Sequence, residues 1–285
     1  MALTDMASLL RDHRAVGAFN FVQLELAEAI VLGAEEAGTG AVLQLSQNAV
    51  RFHGGLAPAA SAALRLAEEA SVPIVVHLDH ATDEALVDDA IALGVPSIMF
   101  DAAHLPESEN LERTRAVAHR AHAAGVWVEA ELGEIGGKGG AHTPGVRTDV
   151  ADAVAFCAAT GVDALAVAVG SSHAMTHRDA QLDNDLIRRL AHRVPVPLVL
   201  HGSSGVADSG IDEAITAGMR KINIGTHVSA VMTRAVRTVL DADPTIVDPR
   251  TYLTAGRSAV AAEVARLLRV IVEGHGAANE PKATS

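Results

Sequence analysis

Asp79 and His80 stand side by side at the end of the apolar run PIVVHLDH, and His173 and His201 close similar runs farther along the chain. Three neutral imidazoles can hold a divalent cation such as Zn2+ and leave one coordination position open, as a catalytic metal requires. A carboxylate beside such a cation, but not bound to it, can exchange a proton with a substrate oxygen, so Asp79 is the expected acid/base. Its simpler role is to orient a histidine. Asp101 and Glu131 also end apolar runs, where they supply either further metal oxygens or partners that steer the ligand rings. Of the 14 histidines, His13, His53, His119, His122, His192 and His275 have no such setting, and His77, two residues before Asp79, reads as an inward-facing support.

Residues so far apart in sequence converge only if the elements carrying them share an edge. Eight apolar runs of strand length recur: AVGAFN ending at Asn20, AVLQLS at Ser46, PIVVHLD, SIMFDA, VWVEAEL, DALAVAVG, VPLVLHG and RKINIGT. Helical apolar spacing fills 24–36, 61–70, 84–93, 111–123 and 211–217 between them. Strands apolar throughout and joined by helices belong to a parallel sheet covered on both faces. Eight of them close into an α/β (β/α)8 TIM barrel whose C-terminal strand ends form one rim. An open doubly wound sheet is the rival, but no GxGxxG follows the first strand. Residues 255–272 read as an extra C-terminal helix, so 1–273 are expected to form one barrel and 274–285 a frayed tail.

On that rim fall Asn20, Ser46, Asp79, His80, Asp101, Glu131, Ser172, His173, His201 and Asn223. The loops HGSSGVAD and NIGTHVSA, after the seventh and eighth strands, place Gly202, Ser204, Gly225 and Thr226 just ahead of helices. Backbone N–H groups there suit an anion, and this is the common phosphate position of such barrels. The glycine-rich stretch ELGEIGGKGGAHTPGVRTD suits a lid. Lys221, near the start of the eighth strand, points by this reading to the end away from the rim, which leaves no Schiff-base lysine.

The net charge of −13 repels a phosphate backbone and no basic cluster offsets it, so nucleic acid is not expected as a partner. Cys157 is the single cysteine and no disulfide framework exists, which fits the cytoplasm. Neither a signal peptide nor a membrane span is legible.

The stretches VVHLDHATDEALVDDAIALGVPSIMFDAAHLP, VEAELGEIGG, GVDALAVAVGSSHA, VPLVLHGSSG and KINIGT resemble, in order and spacing, the class II metal-dependent fructose- and tagatose-bisphosphate aldolases. The resemblance implies reversible cleavage of a ketose 1,6-bisphosphate, fructose favoured over tagatose, to dihydroxyacetone phosphate and glyceraldehyde 3-phosphate, in a homodimer or homotetramer. It implies Zn2+ on His80, His173 and His201, with Asp101 and Glu131 as alternative metal carboxylates, and Asp79 as the acid/base at the C4 hydroxyl. It places Asn20 and Ser46 against substrate, and Gly202, Ser204, Asn223 and Thr226 at the dihydroxyacetone phosphate, with a monovalent cation beside it. The chain departs from the family where the lid reads GGKGGAH in place of an acidic pair, leaving Glu134 and His142 as candidate bases, and where HAMTHR follows His173. Gly225 stands where many fructose enzymes carry Asp. Arg51, Arg178, Arg250 and Arg257 are candidates for the distal phosphate. Another phosphorylated keto sugar, such as a deoxyketogluconate phosphate, a zinc-dependent hydrolase, and a silent sugar-phosphate sensor stay open as alternatives.

Overall fold

A computed structural model describes residues 3–132, 147–172 and 177–274. The eight apolar runs form β1 (Val16–Asn20), β2 (Ala41–Ser46), β3 (Ile74–Ala81), β4 (Ser97–Phe100), β5 (Trp127–Leu132), β6 (Ala164–Val167), β7 (Leu198–Leu200) and β8 (Met219–Ile224). They pair in parallel and in sequence order, and β8 closes on β1 with Ala18 opposite Asn223. The barrel is the expected one. The expected tail beyond Gly274 and the lid glycines lie outside the described residues.

Helices cover the outside of the sheet. They are α1 (Met6–Asp12), α2 (Leu24–Ala37), α3 (Gln47–His53), α4 (Ala57–Glu69), α5 (Glu84–Ala92), α6 (Glu107–Ala123), α7 (Val150–Thr160), α8 (Asn184–Arg193), α9 (Asp208–Ala217), α10 (Thr226–Ala242) and α11 (Pro249–Glu273). The outward strand residues Leu43, Leu45, Ile74, Val76 and Leu78 join the helix faces in the main core. Because successive strand side chains alternate sides, Val42, Gln44 and Ser46, then Val75, His77 and Asp79, point into the barrel.

The short helix α1, which the sequence reading missed, closes the bottom of the barrel. Asp5 caps it by accepting from the Ser8 N–H at 2.8 Å. Its Met6, Leu9 and Leu10 pack on Val16, Ala18, Val42 and Val75, and Arg220 holds the Leu10 carbonyl at 2.6 Å. Among the described residues, the interior therefore opens toward the C-terminal strand ends. No described helix is long and apolar enough to cross a membrane.

The C-terminal helix α11 begins earlier than its periodicity suggests, because Asp248 caps it and Pro249 occupies its first turn. It lies against α2 at a glycine. A Cβ at Gly33 would stand 2.6 Å from the Ala261 carbonyl and 2.7 Å from Val264 Cβ, so the two backbones touch only where a side chain is missing. We expect Gly33→Ala to force this crossing apart and cost about 1–3 kcal/mol, as overpacking does. A melting temperature equal to the parent's in thermal denaturation would show that α11 yields without cost.

Candidate active site

Strand parity gathers the polar residues. Asn20 ends β1, Asp79 lies near the end of β3, and the Asn20 amide donates to Asp79 Oδ2 at 2.7 Å. Behind them Gln44 Nε2 donates to Asn20 Oδ1 at 3.2 Å. His80 follows Asp79, and an ordinary strand would turn it outward. The chain instead shifts register against β4 between Leu78 and Ala81, and His80 takes a positive φ of 50°, unique among the described non-glycine residues. A bulge that re-aims a side chain is a familiar device at barrel rims.

Two features hold this conformation. The Asp101 N–H donates to the Ala81 carbonyl at 2.8 Å. Just beyond, the buried Gln47 accepts from the Thr82 and Asp83 N–H groups and donates to Thr82 Oγ1.

Redirected in this way, His80 contacts Asp101 Oδ2 through Nδ1 at 2.7 Å and meets His201 through Nε2 at 2.8 Å. Asp79 Oδ1 lies 3.9 Å from the same Nε2. His201, the residue after β7, is fully buried, and its Nε2 lies 2.9 Å from Glu129 Oε1. Glu129 Oε2 accepts from Lys221 Nζ at 2.8 Å. His77 lies beside this pair, its Nδ1 on Ser97 Oγ at 2.7 Å and its Nε2 4.0 Å from Glu129 Oε2.

Burial, reinforced by the Lys221 charge, pushes His77 down to about 3. Burial and then His80 push His201 down to about 4. For Glu129 burial opposes ionisation, but the Lys221 ammonium and the His201 hydrogen bond outweigh it and hold the carboxyl well below the usual range.

This donor set fits a divalent cation. With a carboxylate accepting from the Nδ1–H of His80 and another from the Nε2–H of His201, the two nitrogens 2.8 Å apart present lone pairs to each other. Two facing lone pairs repel, and a cation beside them relieves that repulsion. The ligand atoms of Asp79, His80 and His201 lie within 4.8 Å of one another, as do those of His80, Asp101 and Glu131. Thus Asp79, His80 and His201 form one group and Asp101 and Glu131 a second, and the two share His80. His173 lies outside the described residues, as do Glu134 and His142. The neighbouring Ser172 packs on Gly202, where φ is 68° and a Cβ would stand 2.5 Å from the Ser172 carbonyl.

The two anion loops lie side by side. Ser203 donates to the Asn223 carbonyl, and Ser204 Oγ accepts from the His227 N–H at 3.2 Å. Thr226 opens α10, so its first turn directs backbone N–H groups to the mouth. A Cβ on Gly225 would stand 3.0 Å from Asn20 Oδ1. Ser46 caps α3 by accepting from the Ala49 N–H at 3.2 Å.

Gln44 and Glu129 are absent from the sequence reading, and Lys221 corrects it. Its side chain does not point away from the rim; with 1% of its surface exposed, it reaches Glu129 inside the barrel. The signal was present: Gln44/Ser46, His77/Asp79, Glu129/Glu131 and Lys221/Asn223 are each spaced by two, which puts both members on the inner face.

Fold and rim thus define a (β/α)8 barrel with a carboxylate and imidazole centre at its mouth, the architecture of a barrel enzyme. The family described as "Fructose-bisphosphate aldolase class-II" matches residues 4–275, and the chain belongs to it. Among curated relatives, the "Fructose-bisphosphate aldolase" of Geobacillus stearothermophilus is 36% identical, covering 94% of this chain and 96% of that protein. The "6-phospho-5-dehydro-2-deoxy-D-gluconate aldolase" of Bacillus velezensis is also 36% identical, covering 94% and 95%. Among solved structures, the YdjI aldolase from Escherichia coli K12 superposes with a TM-score of 0.83 at 29% identity, covering 96% of this chain and 99% of that one.

His77 and His201 stay neutral in the folded state down to about 3 and about 4, whereas the unfolded chain protonates them near 6.5. Below that pH the unfolded state binds more protons, so stability is complete above about 6.5 and falls as the pH drops toward 4. The slope approaches about 1.4 kcal/mol per pH unit for each ring. Denaturant titrations of the metal-free protein between pH 7 and 4 should show this loss, reduced in His77→Asn; a flat profile would contradict the burial of neutral rings.

Proposed function

We propose that the chain is a divalent-cation aldolase that reversibly cleaves fructose 1,6-bisphosphate to dihydroxyacetone phosphate and glyceraldehyde 3-phosphate. The observation that carries this reading is the placement of Asp79, held by Asn20, beside the paired nitrogens of His80 and His201. His80 and His201, with His173 after β6, would hold the ion, taken as Zn2+. When bound, it supplies the electrophile for the substrate's carbonyl oxygen, the part a Schiff-base lysine plays in the other aldolase class.

The remaining steps belong to side chains. Asn20 holds Asp79 Oδ2, and Oδ1, on the His80 side, would take the C4 hydroxyl proton during cleavage and return it during condensation. The N–H groups at Gly202, Ser204, Gly225 and Thr226 would bind the phosphate of the dihydroxyacetone half. Asp101 fixes the His80 ring.

For the distal anionic group, the four candidate arginines separate by partner. Arg178, Arg250 and Arg257 are each paired with a carboxylate, from Asp208, Asp248 and Glu28. Among the described residues, Arg51, on α3 just past the end of β2, bonds only the neutral Asn48 amide, at 3.2 Å. Arg51 is therefore assigned to the distal group. A second substrate, 6-phospho-5-dehydro-2-deoxy-D-gluconate, is favoured by relatives of that name as similar as the fructose enzymes.

Triose release should be measured from fructose 1,6-bisphosphate, tagatose 1,6-bisphosphate and the deoxygluconate phosphate. Inactivity on both bisphosphates sinks the preferred substrate. Chelation should abolish turnover and Zn2+ restore it, while Asp79→Ala keeps the ion and loses on the order of 100-fold or more in kcat, the scale of general acid/base catalysis. Loss of the ion in that variant would make Asp79 a ligand. Arg51→Leu should raise KM for the cleaved substrate about 10-fold or more, the scale of one charge-assisted hydrogen bond. An unchanged KM moves the distal site elsewhere.

A further inference from the structure

We infer that the sealed Lys221–Glu129 pair fixes the tautomer of His201 and so decides which of its nitrogens is offered to the cation. The inference rests on the metal-centre reading proposed above and makes Glu129 and Lys221 positioning residues.

Four contacts converge on it. Lys221 Nζ has only hydrogens to give, and at 2.8 Å it occupies Glu129 Oε2. That leaves Oε1 as an acceptor 2.9 Å from His201 Nε2, which must then carry the ring proton. The opposite nitrogen, Nδ1, is left as a bare lone pair 2.8 Å from His80 Nε2. The Asn223 amide, 3.2 Å from His201 Nε2, agrees after a half-turn, which gives Oδ1 the donor it lacks among the described residues.

The geometry explains why a fully buried lysine and glutamate persist inside this barrel. The alanines of β6, Ala164 and Ala166, with Ala168 just beyond, line that part of the interior and leave room for the long side chains. The pair makes an asymmetric request of its neighbours: the lysine can only donate, so the carboxylate's second oxygen can only accept. A neutral amide of the same shape would reverse that request. With Lys221 holding the amide oxygen, Glu129→Gln turns its NH2 toward His201 Nε2, which must then accept, and the ring proton moves to Nδ1, into the cation site.

The test uses Zn2+ alone at fixed pH. In Glu129→Gln, Zn2+ affinity measured by chelator competition should fall about 10- to 100-fold, the usual range for a partner of a ligand histidine. The ring 15N shifts of the metal-free protein should move the His201 proton from Nε2 to Nδ1. Glu129→Gln combined with Lys221→Met removes both charges of the pair and the donor that pins the amide oxygen. The amide can then turn and accept from Nε2, so the double variant should regain most of the lost affinity.

Wild-type affinity and an unmoved proton in Glu129→Gln overturn the inference. So does a double variant that folds but stays as weak as the single one, because a purely structural role predicts no recovery. A parent protein that binds no Zn2+ refutes the metal centre instead, and the 15N shifts still decide what Glu129 does to His201.

Discussion

A carboxylate and an ammonium held 2.8 Å apart without solvent inside a closed barrel constrain everything above them. Such a pair is a poor source of stability, since apolar residues of the same volume in its place are often more stable by about 1–4 kcal/mol. What it supplies is direction. Each charge must be matched by partners at hydrogen-bond distance, and the partners present are the rings and amides of the mouth. His201 extends upward from Glu129, His77 lies beside it, and Asn223 reaches the same imidazole. The polar interior works as a fixed base on which the centre stands.

The second constraint is local. Adjacent residues on a strand face opposite ways, yet the centre needs Asp79 and His80 on the same side. The chain meets this with a left-handed residue at His80, a conformation costing on the order of 1–3 kcal/mol. The surroundings fix it through Asp101, which holds both the Ala81 carbonyl by its N–H and the His80 ring by its carboxylate, and through Gln47, which holds the next turn. Pre-arranged rings need little reorganisation when charge develops on a substrate.

The closed bottom and the open mouth complete the arrangement. The α1 plug and the apolar inner residues at the lower barrel exclude water from the ion pair, while the anion loops after β7 and β8 are tied together by Ser203 and Ser204. Hydroxyls that read as candidate ligands, Ser204 and Ser46, are engaged in joining loops or capping a helix. Each accepts from a backbone N–H and keeps its own O–H to donate.

The sequence alone determined the barrel and its rim. Eight apolar runs separated by helical periodicity admit few arrangements, and strand length fixed where Asn20, Asp79, Asp101, Glu131 and Asn223 would end, because parallel strands must all finish on the same side. The (i, i+2) pairs even carried the buried layer, since period two is a property of any strand. Tertiary structure decided what periodicity cannot encode: that His80 breaks the alternation to join Asp79, that Lys221 reaches inward to Glu129, that Gln44 backs Asn20, and that three of four arginines are already neutralised by carboxylates. Apart from the Arg250–Asp248 pair, each of these depends on a partner more than 20 residues away, and the energy of a buried charge or a strained φ is set by the neighbours that surround it once the barrel has closed.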